Sequence, residues 1–259
     1  VEILNGLLVP NAGTIFTALG IFVRMSVFAI LLPGLGEVSI SIRIRLLVAL
    51  VMTWIVFPVV LVENRLDQMA IADITTLFIA ELIYGFMLGF SLRVMIYVLQ
   101  IAGTIIAQAM SLSQVLGAGL TEEPNTTVSS LLLLAGTTLV VTLDLHIEAI
   151  RLFIQSYEMF PFGSLPDLDM IAHWATEKSV WAFAFALSLS LPFVILNFIY
   201  NVALGMISRA MPQLMVSFVG MPAITGASII LLALSIGALL SFWLINFDSA
   251  FLDFGVLAP

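Results

Sequence analysis

IILLALSIGALLSFWLINF, at residues 229–247, carries no charge and is apolar on every side of a helix. Such an all-round apolar helix is buried in a large core or spans a membrane. A helix crossing a hydrocarbon layer of about 30 Å needs roughly 20 such residues. The run belongs to an apolar stretch at approximately 223–247, and similar stretches recur at approximately 12–32, 44–62, 74–100, 128–150 and 179–208, so that six are found in all. Of the 259 residues, 62% are hydrophobic and 9% charged. An ordinary soluble domain is about 45–50% apolar and about 25% charged. These numbers predict an all-α, membrane-associated protein of about six long apolar helices, forming one domain over 1–259.

Composition also narrows the chemistry. Eight Lys and Arg stand against sixteen Asp and Glu, a net charge of −8, so no basic surface for nucleic acid is expected. With no cysteine and two histidines, His146 and His173, the sequence offers neither thiolate nor multi-histidine metal sites. No metalloprotease, nucleophile-elbow, P-loop or dinucleotide fingerprint occurs. Neither an enzyme nor a cofactor is expected.

One stretch tempts a β reading. Trp181, Phe183, Phe185, Leu187, Leu189 and Leu191 alternate with alanines and serines, as in a barrel strand. The pattern occurs once, and its neighbours are apolar all round, so helix is the better assignment. On a helix, Ala182, Ala186 and Ser190 form one smooth ridge for a neighbour.

Polar side chains inside apolar helices are costly and usually face protein or a cavity, which makes their placement informative. Glu81, Gly85, Gly89 and Arg93 step by four along one helix, with a GxxxG at the centre. That ridge predicts a helix–helix seam with ionic ends, within the chain or between subunits. Asn197, Asn201, Gly205 and Arg209 form a second ridge of the same spacing, followed by Gln213. Arg209 could serve the helix C-terminus, or the whole ridge could dock another helix. Asp144, Glu148 and Arg151 suggest an ion-pair cluster at a membrane boundary.

The run AGTIIAQAMSLSQVLGAGL at 102–120 is too polar for lipid. Its second half, Met110, Ser111, Leu112, Ser113, Gln114, Val115, Leu116, Gly117, Ala118, Gly119 and Leu120, is small and uncharged. It suits a re-entrant turn or a yielding constriction, since irregular backbone at membrane depth is tolerated where it lines a cavity. Basic residues are too scattered for the positive-inside rule to assign a topology.

The ordered motifs have a familiar sequence. FVRMSVFAILLPGLGEVSISIRIRLLVALVMTWIVFP (22–58), ELIYGFMLGF (81–90), AGTIIAQ (102–108), Pro124, His146, Ser156, Pro161, Pro192 and LGMISRAMPQL (204–214) follow one another over about residues 15–240. This order resembles the FliR family of type III secretion export-gate subunits, with Met215 where the family commonly carries Asn. The resemblance implies kinked helical hairpins in a helical multi-subunit gate of the bacterial inner membrane and flagellar basal body, with helices able to sit largely above the bilayer plane. It implies FliP-like and FliQ-like subunits and an FlhB-like subunit as partners, and unfolded flagellar proteins as passing substrates, with membrane lipid at the outside. It places a plug loop on 110–120. An injectisome homologue and a small-solute secondary transporter are the competing readings; the second lacks an evident inverted repeat.

Overall fold

A computed structural model describes residues 12–37, 40–63, 71–110, 126–210 and 216–252. Among these, seven helices and no strand occur: α1 (Ala12–Leu31), α2 (Ile42–Glu63), α3 (Ile71–Ala109), α4 (Thr127–Thr142), α5 (Leu145–Met159), α6 (Leu168–Ala210) and α7 (Val216–Leu252). Five of them are long and apolar enough to cross a membrane, and the bent pair α4–α5 makes a sixth candidate. The described parts of Val1–Val94, Thr138–Lys178 and Asp248–Pro259 form one compact unit; Met95–Thr137 and Ser179–Phe247 form another.

Two helices depart from the boundaries that hydropathy suggests. The stretch 128–150 is broken: α4 and α5 meet at 70°. Asp144 sits at the corner with φ 57° and ψ 21°, a left-handed conformation that stops the helix without Gly or Pro. This removes Asp144 from the helical face it would share with Glu148. The ion pair of that cluster survives as Arg151 Nη1 to Glu148 Oε1, 2.7 Å, on the exposed side of α5. In contrast, α3 continues past residue 100 to Ala109, through a run whose polarity argues against lipid. Its Gly103 lies where a Cβ would stand 2.5 Å from Ser129 Cα of α4, and Ser129 Oγ donates to the Gln100 carbonyl at 3.1 Å. The small, polar composition serves a close helix crossing inside protein.

α6 passes through Pro192 without a break. The alternating segment is helical, and Ala182, Ala186 and Ser190 are all buried while Phe183, Leu187 and Leu191 are exposed. Two thirds of the apolar window of α3, 67%, is buried, against 17% of that of α7. α3 is therefore a core element. α7 turns most of its apolar surface outward.

Candidate functional site

The first polar ridge is filled from within the chain. Arg24, the lone charge of α1, and Glu81 are both fully buried. Arg24 Nε donates to Glu81 Oε2 at 2.6 Å and Nη2 to Oε1 at 3.1 Å, a bidentate pair. Two further donors go to Ser156 Oγ of α5 and to the Phe160 carbonyl, each at 3.2 Å. The Gly163 N–H donates to Glu81 Oε1 at 3.0 Å. The Tyr157 ring lies 3.9 Å from the guanidinium carbon, adding a cation–π contact. Four chain segments thus meet at one buried, hydrogen-bonded ion pair.

The two glycines bring α1 and α3 close enough for this. A Cβ on Gly85 would stand 2.5 Å from the Arg24 carbonyl oxygen, and one on Gly89 would stand 2.7 Å from Leu31 Cβ. At the far end of the ridge Arg93 Nη1 donates to Glu37 Oε1 at 2.8 Å. Spacing along α3 could not name Arg24, Glu37 or Ser156 as partners. Charge matching could have suggested the first, because Arg24 is the single charge of its apolar stretch and Glu81 the single charge of 74–92.

The second ridge has a different environment. Asn197 is half-buried, and Asn201, Gly205 and Arg209 are exposed. Asn201 Nδ2 donates back to the Asn197 carbonyl and to Asn197 Oδ1, both at 2.8 Å, so the N–H groups of Asn201 are used within the helix. Nothing lies within 4 Å of the position a Cβ on Gly205 would take. Arg209 occupies the last turn of α6, where the helix dipole favours a cation. Among the described residues it has no acidic partner. Gln213 lies outside the described residues.

Of the candidate constriction, Met110 is described and Ser111–Leu120 lie outside the described residues. Met110 is buried, its N–H donates to the Ile106 carbonyl at 2.9 Å, and its own carbonyl accepts from Thr225 Oγ1 of α7 at 2.9 Å. A side chain from the last helix therefore holds the residue from which the polar run departs. Sequence spacing gives no signal for a contact 115 residues apart.

Long apolar helices joined around a buried ionic clasp define a multi-pass membrane protein. The chain belongs to a family of secretion components: the sequence model for "Bacterial export proteins, family 1" matches residues 15–250. Within it, the similarity is to FliR. "Flagellar biosynthetic protein FliR" of Caulobacter vibrioides is 30% identical over 236 residues, covering 90% of this chain and 93% of that protein. The proteins of the same name from Pectobacterium carotovorum and Escherichia coli are 28% and 27% identical, covering 82% and 78% of this chain and 81% and 77% of theirs. Family and helices together make this a FliR-family protein of the inner membrane.

Proposed function

We propose that the chain is a structural channel subunit of the flagellar type III export gate, helping to form the entrance through which unfolded flagellar proteins cross the inner membrane. The bare ridge of α6 carries this reading. Residues 179–208 contain no charge, and 30 helical residues measure about 45 Å at 1.5 Å each. A hydrocarbon core of about 30 Å accommodates about 39 Å of helix even at a 40° tilt. The surplus apolar length, with two amides and a glycine on its outer face, needs polypeptide around it. FliP-like and FliQ-like subunits, with an FlhB-like subunit beside them, fit that need. The small, uncharged run Met110–Leu120, rooted through Met110 on Thr225, would serve as the yielding plug of the path. No catalytic step is assigned to the chain.

The flagellar branch is favoured over an injectisome because the similar proteins carry flagellar names. The test is co-purification of the full chain with FliP-like and FliQ-like subunits, alongside swimming of a deletion strain complemented by each variant. Asn201→Leu combined with Arg209→Leu is expected to accumulate normally, lose the partner subunits and fail to restore swimming. Retained partners and full motility would remove the docking role from this ridge.

A further inference from the structure

We propose that α2 binds an anionic phospholipid, with Arg43 at the phosphate and Leu47, Leu50 and Trp54 along the acyl chain. Steps of four, three and four place these side chains within about 60° of one another on the helix. Arg43 is exposed, and Leu47, Leu50 and Trp54 are 64%, 61% and 70% exposed, a continuous outward apolar strip below the cation. Eleven residues separate the two ends of the ridge, about 16 Å along the axis. That matches one leaflet, half of a hydrocarbon core of about 30 Å. The ridge thus has the shape and polarity of one lipid molecule, a cation heading a single-leaflet length of apolar surface.

The charge at this end of α2 selects an anionic head. The Glu37 carboxylate is held by Arg93 at 2.8 Å. Arg45 donates to the Glu37 main-chain carbonyl, and its Nε is buried without a partner. With Arg43 two residues from Arg45 on the first turn of α2, the described residues of this end supply three guanidiniums and one carboxylate, in a chain whose net charge is −8. A zwitterionic headgroup leaves that excess uncompensated, whereas a phosphate with net negative charge accepts the planar donors of arginine. The inference requires membrane residence and is independent of the export-gate reading.

The test uses the full chain in nanodiscs of phosphatidylglycerol or phosphatidylcholine, extracted into detergent, with retained lipid counted by native mass spectrometry. Phosphatidylglycerol is expected to remain and phosphatidylcholine to wash away. Arg43→Gln should lower phosphatidylglycerol retention about fivefold. Arg151→Gln, which removes a cation paired with Glu148 on α5, should leave retention unchanged. Inorganic phosphate should not displace the lipid. Equal retention of the two lipids, an Arg43→Gln variant that keeps its lipid, or displacement by phosphate alone would overturn the proposal. A photo-crosslinker at Leu50 in intact cells, independent of the arginine variant, should yield lipid adducts; a protein adduct would assign this face to a subunit instead.

Discussion

The ridges on α3 and α6 share one spacing and have opposite fates. On α3, Glu81, Gly85, Gly89 and Arg93 are met by Arg24, by the α1 backbone, by Leu31 and by Glu37. On α6, Asn197 and Asn201 bond to each other and Gly205 faces open space. Periodicity of four shows that a helix has a polar, close-packing face. It does not show whether the neighbour is in the same chain. The two ridges differ in chemistry: the formal charges at depth are neutralised inside the chain, and the ridge left outward is headed by neutral amides, which exposed membrane-protein surface tolerates at lower cost.

Breaking the filled ridge at its ionic end should have the largest effect. Arg24→Met leaves Glu81 buried without its partner, a loss of about 3–5 kcal/mol. Little folded chain should accumulate in membranes. Arg24→Met combined with Glu81→Met should recover most of it, since an apolar pair of similar volume tolerates the site. A smaller effect separates the glycines. Gly85→Ala drives a methyl into the Arg24 carbonyl and should cost about 1–3 kcal/mol, read as a lowered unfolding midpoint in detergent. Gly205→Ala should leave that midpoint unchanged or slightly raised, because its Cβ meets nothing and alanine favours the helix. Equal sensitivity of the two glycines would erase the contrast. Smaller again is Arg93→Gln, which loosens a part-exposed pair with Glu37. It should cost about 1 kcal/mol or less, and less still at high salt.

The all-α class and most helix locations were legible because unbroken apolar runs leave few alternatives. The stretch at 181–191 was also legible as helix despite its period of two, because neighbouring runs are apolar on all faces. Less could be read where geometry depends on contacts remote in sequence. The 70° corner at Asp144 has no breaker residue to announce it; an aspartate adopts the left-handed conformation without the usual Gly or Pro signal. The helical continuation to Ala109 was obscured because a polar, small-residue run looks like loop until Ser129 of α4 is seen packed on Gly103. At the candidate site, the ridges themselves were visible in the sequence. The clasp was not, since Arg24 and Glu81 are 57 residues apart and Ser156 is 132 residues from Arg24.

Because the chain contains no cysteine, a single one can be introduced at Gly205 and probed inside the assembled basal body. Gly205→Cys, treated in membranes with a photoactivatable thiol-reactive crosslinker, is predicted to join a second polypeptide of the export apparatus in a defined product. A cysteine at outward-facing Leu47 of α2 provides the comparison and should yield lipid adducts. If Gly205→Cys captured only lipid while the basal body was intact, the α6 ridge would face the bilayer, contradicting the assignment of this surface to a neighbouring subunit.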